Sequence, residues 1–210
     1  MIRSGGPPWC TWERLMRHFC VLAVIMLGSI GAALADPMPI DPSTFSTSAK
    51  FSVDKSAMTL SSAVATIEPR LGAPGYSWLR ITFYGFPLTA DDVAGVTSGN
   101  TESIEKKWSA MASNPADYNR SHAVIQLSVD AAHKVWQVDM SVPGHTCTIA
   151  PSEPDVKGFL QTYQFDGKKL TLKSKGSYTC DMKFMGISNQ NFGWDIDVDI
   201  PVFEKINPKK

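Results

Sequence analysis

The chain has 210 residues, with 20 basic and 20 acidic side chains and a formal net charge of zero. Balanced charge of mixed sign argues against a nucleic-acid-binding surface and against a polybasic membrane surface, and the length suffices for one sizeable core.

Residues 1–35 differ from the rest of the chain. The run 21–35 (VLAVIMLGSIGAALA) is apolar and uncharged, Arg14 and Arg17 precede it, and it closes on Ala33-Leu34-Ala35, small residues at the positions a signal peptidase reads. The run is shorter than the roughly 18 apolar residues a spanning helix needs, and Gly28, Ser29 and Gly31 weaken it further. A cleaved Sec-type signal peptide is therefore predicted over an uncleaved anchor. Cys20 follows Arg17-His18-Phe19 and not a small-residue lipobox, and there is no twin-arginine pair. Met16 offers a second start, from which the leader keeps its short basic front and apolar middle. Cleavage between Ala35 and Asp36 places the protein in the periplasm or outside the cell, with no stable membrane span. The mature chain keeps 17 of the basic and 19 of the acidic residues, a net of −2, and two of the four cysteines, Cys147 and Cys180. In an oxidising compartment these two are expected to form a disulfide; a metal-bound thiolate pair or two free thiols are the alternatives.

Residues 36–50 (DPMPIDPSTFSTSAK) are rich in Pro, Ser and Thr without an apolar period, and read as an extended lead-in. Strands are expected near 59–67 and 78–83. Thr89 and Asp92 then have capping-box spacing, which predicts a short helix from Ala90 to about Val96 that stops near Gly99. A second helix is expected after Asn100, with Ile104, Trp108 and Met111 at helical spacing, Glu102 one turn before Lys106, and Asn114-Pro115 as its end. Alternation resumes with Ala123, Ile125, Leu127 and Val129, then with Trp136, Val138, Met140 and Val142 after a hairpin at 130–134. Asp166-Gly167 between alternating segments predicts a type I′ hairpin of 159–165 with 169–175. Tyr178, Cys180 and Met182 share one side of a further strand. In 194–200, Trp194, Ile196, Val198 and Ile200 alternate with Asp195, Asp197 and Asp199. The pattern predicts a single mainly β domain over 51–204, an antiparallel β-sandwich or small open barrel with a two-helix insertion at about 89–113, and a tail at 205–210.

Three groups of residues bear on function. Trp78, Arg80 and Tyr84 share one strand face opposite Leu79, Ile81 and Phe83, and mix aromatic rings with a guanidinium as a ligand groove does. The competing reading is a face half covered by the helical insertion. Asp195, Asp197 and Asp199 raise a calcium site, but alternate strand residues lie about 6.5 to 7 Å apart, too far to converge on one ion unaided. Their other expected partners are Lys169, Lys173 and Lys175 on a neighbouring strand. His145 and Cys147 would suit copper or zinc only if the cysteine escapes the disulfide. Met182, Met185 and the loop 186–193 form a polar rim. Nucleophile elbows, His-Glu-x-x-His, phosphate loops and Cys-x-x-Cys are absent from the sequence. Asp91-Asp92 and Glu153/Asp155 read as a helix start and a solvated turn.

The expectation is an exported, non-catalytic β domain that binds a small ligand, glycan or envelope partner, with no cofactor and no catalytic residue assigned. The alternative is a hydrolase of a wall or extracellular polymer, whose two acids would meet about 5 to 10 Å apart in a cleft. Exported material should begin at Asp36. N-terminal sequencing or intact mass that finds earlier residues would refute that cleavage.

Overall fold

A computed structural model describes residues 41–114, 121–150, 152–181 and 188–205; the predicted signal peptide, Pro115, Met182, Met185, Gly186 and residues 206–210 lie outside them. Period-two alternation builds nine strands: β1 (Ser46–Val53), β2 (Ser56–Pro69), β3 (Tyr76–Tyr84), β4 (His122–Asp130), β5 (Val135–Val142), β6 (His145–Ala150), β7 (Thr162–Phe165), β8 (Lys169–Cys180) and β9 (Gln190–Glu204). They form one sheet in the order β6-β5-β4-β3-β2-β1-β9-β8-β7. Neighbours in that order run antiparallel. Where β1 runs out, residues 65–67 of β2 pair directly with 202–204 of β9, in parallel. The sheet curls into a half-barrel, the open-barrel form of the expected fold and not the sandwich.

The inner face is filled by side chains. Phe51, Leu60, Leu79, Ile81, Phe83, Ile125, Leu127, Met140, Leu170, Phe192 and Ile200 are buried in one continuous core. Removing such area from water is worth about 25 cal/mol per Å² and is the main driving force for the fold. β1 takes in residues 46–50, the second part of the segment read as lead-in. Ser, Thr and Lys hid its alternation, yet Ala49 is fully buried.

Among the described residues, three α-helices accompany the sheet: α1 (Ala90–Ser98), α2 (Glu102–Ala112) and α3 (Glu153–Phe159). The first two are the expected insertion between β3 and β4. α3 occupies the place read as a solvated turn around Glu153 and Asp155. Seven residues with a proline in the first turn and Gly158 near the end carry little intrinsic helicity. What fixes the helix is tertiary: Val156 and Phe159, three apart, are buried in the core where α3 meets β5, β6 and β8.

The hairpin at Asp166-Gly167 is present with a different turn and a first arm of 162–165 in place of 159–165, because Phe159 belongs to α3. Gly167 has φ +94° and Lys168 does not have a positive φ, so only the first central position is left-handed, as in a type II′ turn. Asp166 stands before the turn and accepts the amides of Lys168 (2.8 Å) and Lys169 (2.7 Å).

β8 and β9 are neighbours, and their outer faces carry the expected charge ladder. Lys175 reaches Asp195, Lys173 reaches Asp197 and Lys169 reaches Asp199, each at 2.8 Å. The first two pairs are directly opposed, whereas Asp199 faces Thr171 and takes Lys169 on the diagonal. All these groups are exposed, so the ladder sets register and discourages further edge pairing more than it adds stability.

A disulfide joins Cys147 of β6 to Cys180 at the end of β8, with Cα atoms 6.1 Å apart. β6 is one edge of the sheet and β8 lies next to the other. The bond therefore ties the two flanks of the curl across its open side. On that side too, the Tyr163 hydroxyl of β7 donates to the His133 carbonyl (3.0 Å), and the Phe165 ring lies 4.5 Å from the His133 ring in the β4–β5 turn.

Opening a loop of 33 residues' separation should cost about 3 to 4 kcal/mol in the chain-entropy description. Cys147→Ser should thus lower the melting temperature by roughly 10 °C and still fold, because the core is otherwise intact. Thiol titration of the denatured, unreduced protein should find neither cysteine free.

Candidate functional site

The outer face of β2 and β3 carries a second apolar layer. Phe45, Val64, Tyr84, Leu88, Val93 and Ile104 are buried together, with Phe86, Val96, Trp108 and Phe203 packed around them. This is the underside of the α1–α2 hairpin. It explains why Ala63-Val64-Ala65 of β2 is continuously apolar: that strand is covered on both faces.

One carboxylate holds the hairpin together. Asp92 is fully buried on the first turn of α1. It accepts the Thr89 amide (2.7 Å) and hydroxyl (2.9 Å) in a capping box, and the Ser103 hydroxyl of α2 (2.7 Å). The Lys107 ammonium of α2 closes on the same carboxylate. Burial pushes the Asp92 pKa upward, but the Lys107, Ser103 and Thr89 donors outweigh it and hold the carboxyl at about 2. The acid is therefore a structural tie between two helices and not a proton donor near neutral pH.

Between this hairpin and the outer sheet face runs a groove of about 590 Å³. Tyr84, Ile104, Trp108 and His122 form its apolar wall, and Thr82, Arg80, Gln126, Asp139, Ser141 and Thr146 carry polar groups along its floor. Trp108 stacks on Tyr84 at 6.2 Å and lies 5.0 Å from the His122 ring. The His122 pKa is lowered by burial, so the imidazole is neutral at pH 7, and its Nδ1 is 2.9 Å from the Ser121 hydroxyl. Burial raises the Tyr84 pKa, which keeps the phenol protonated. Arg80 donates through Nε (3.2 Å) and Nη2 (2.8 Å) to Gln126, and Glu68 lies 3.6 Å from Arg80 and 3.3 Å from Lys205. Asp139 accepts from Gln137 (2.9 Å) and from the Thr148 hydroxyl (2.6 Å). The Trp108 indole Nε1 is buried with no acceptor among the described residues.

Of the three residues singled out on β3, Arg80 and Tyr84 come together in the groove. Tyr84 is only 3% exposed: the insertion covers that end of the face, and the groove runs beside it. Trp78 lies outside, one row further along, under the Arg70 guanidinium at 4.4 Å. Asp195, Asp197 and Asp199 stand in their lysine pairs, and no group of three or more potential metal ligands occurs among the described residues. Cys147 is in the disulfide, so the His145–Cys147 metal pair is not formed. Sequence reasoning missed His122, Gln126, Asp139, Ser141 and Thr146, since these are the polar half of an alternation and read as solvent-facing. Neither a protein-family model, a curated protein nor a solved structure is matched by this chain.

Asp92→Asn should keep the cap and leave Lys107 without a counter-charge, a loss of about 2 kcal/mol at pH 7. Because the folded pKa lies below the unfolded value of 3.8, the carboxylate's contribution is complete above that value and lost as pH falls through about 2. The stability gap between the parent and Asp92→Asn, measured by denaturant unfolding, should narrow over that range.

Proposed function

We propose that this chain is an exported, non-catalytic β domain whose outer groove binds a small polar ligand of the saccharide class. The observation that carries the reading is the groove's make-up: stacked aromatic rings along one wall and planar or hydroxylic hydrogen-bonding groups along the floor. Sugar rings offer just this pairing of an apolar C–H face and a hydroxyl rim. The buried indole N–H of Trp108, without an acceptor among the described residues, supplies a donor that a ligand hydroxyl would satisfy. The disulfide and the apolar leader both fit an oxidising compartment.

The hydrolase alternative asks for two acids facing one cleft. Among the described lining residues Asp139 is the one carboxylate, and two donors already occupy it. The observations therefore favour binding over cleavage.

A thermal-shift panel of soluble oligosaccharides, followed by calorimetry on any that raise the melting temperature, tests the reading. Arg80→Ala should weaken the selected ligand at least roughly tenfold, about 1.4 kcal/mol, with little change in stability. Equal affinity in Arg80→Ala, or no shift across the panel, would refute it. Release of new reducing ends from a polymer would favour the hydrolase.

A further inference from the structure

Two large hydrophobic side chains are exposed among the described residues: Leu71 at 94% and Trp136 at 41%. They lie at the same end of the half-barrel. Leu71 is in the β2–β3 turn, whose Arg70 amide bonds the Tyr76 carbonyl (2.9 Å); Tyr76 pairs across the sheet with Asp130, and Asp130 accepts the Trp136 indole N–H (3.1 Å). Cations sit on the aromatic rings there: Arg70 over Trp78 at 4.4 Å and Lys134 over Trp136 at 4.4 Å.

We propose that this end docks onto the surface of an anionic lipid bilayer, with Leu71 and Trp136 as its apolar anchors. The turn 71–75 (LGAPG) has no charged residue. Leu71 belongs to neither hydrophobic cluster, so its exposure serves no packing purpose. The turn is also prepared for a drier environment. Besides the Arg70 amide, the Ala73 amide bonds the Arg70 carbonyl (3.3 Å) and the Tyr76 amide bonds the Ala73 carbonyl (3.1 Å). Gly72 (φ +77°) and Gly75 (φ +84°) hold that geometry without strain. Buried polar backbone is costly in lipid unless it is bonded internally, and here much of it is.

Trp favours the headgroup region, where its ring is sheltered and its N–H stays bonded, and Arg or Lys beside it meets anionic headgroups. The Asp130 carboxylate beside them is engaged by the amides of Ala132 and Lys134, both at 2.9 Å, as well as by the Trp136 indole N–H. The net charge of the molecule rules out a polybasic coat. This surface differs: apolar side chains anchor it, and two local cations orient it. A bilayer suits the arrangement better than a protein partner, because the anchors stand up singly and do not line a groove.

The test sediments protein expressed from the full-length chain with vesicles. One set mixes phosphatidylglycerol and phosphatidylcholine in a ratio of roughly 1:2, and the other is pure phosphatidylcholine. Partition into the anionic vesicles is expected, with Leu71→Asp reducing it at least roughly tenfold at an unchanged melting temperature. Brominated lipid should quench a fluorescence component that Trp136→Phe removes. Equal partition of Leu71→Asp and the parent would overturn the proposal. So would a parent that stays in the supernatant at both compositions, as it would if the turn served a protein. Equal partition into the two lipids would overturn the anionic assignment.

Discussion

Everything inside the half-barrel depends on how its open side is closed. A twisted sheet of nine strands brings its two flanks near each other, but β6 and β7 are not bonded neighbours. Left there, the core between them would face water. α3 lays Val156 and Phe159 into that space, and the disulfide fixes the flanks at a distance the helix can fill. A small polar arrangement makes the seam specific. The buried Ser174 hydroxyl of β8 donates to the Phe159 carbonyl at the end of α3 and accepts the Trp194 indole N–H of β9 at 2.8 Å. The Trp194 ring then packs 5.3 Å from Phe159. Helix, β8 and β9 are thus locked by one hydroxyl that uses both of its capacities.

Among the described residues the inner face of the sheet is filled by aliphatic and aromatic side chains. The proposed binding site lies on the outside, where the insertion adds a second layer to the sheet. The hairpin covers only the Tyr84 end of β3. The rows beyond it, through Arg80, Gln126 and Asp139, keep their polar side chains at the edge of that cover. The groove is therefore a boundary between two packing layers, lined by residues of both.

Much of this was legible in the sequence because period-two alternation and capping chemistry are local. The strands from 123 to 142, the Thr89–Asp92 box and the cysteine pair could be read without tertiary information, except that a register shift at the start of β5 buries Val135 and exposes Trp136, the reverse of the expected faces. The lysine–aspartate ladder followed once two strands of matching period were supposed adjacent. What stayed hidden was decided by distant partners. α3 has weak propensity and is helical because a gap between flanks needed filling. Asp92 announced a helix start, but its bonds to Ser103 and Lys107 depend on a helix ten residues further on. The groove draws residues from β3 to β6 and from α2, and its polar members look like any solvent-facing set until the hairpin is placed over them.

The seating of that hairpin has one further consequence. The Gly85 amide bonds the Ser121 carbonyl at 2.9 Å, just where the β3–β4 ladder ends at the Tyr84–His122 pair. The strands are thereby stitched on both sides of the insertion's entry and exit. To the barrel, the 35 residues between Gly85 and Ser121 amount to a single outsized turn. Segments spliced at such a point can lengthen, shorten or change composition without shifting strand register. The helical side of the groove can thus change in length and composition while its sheet side, with Arg80, Gln126 and Asp139, keeps its register.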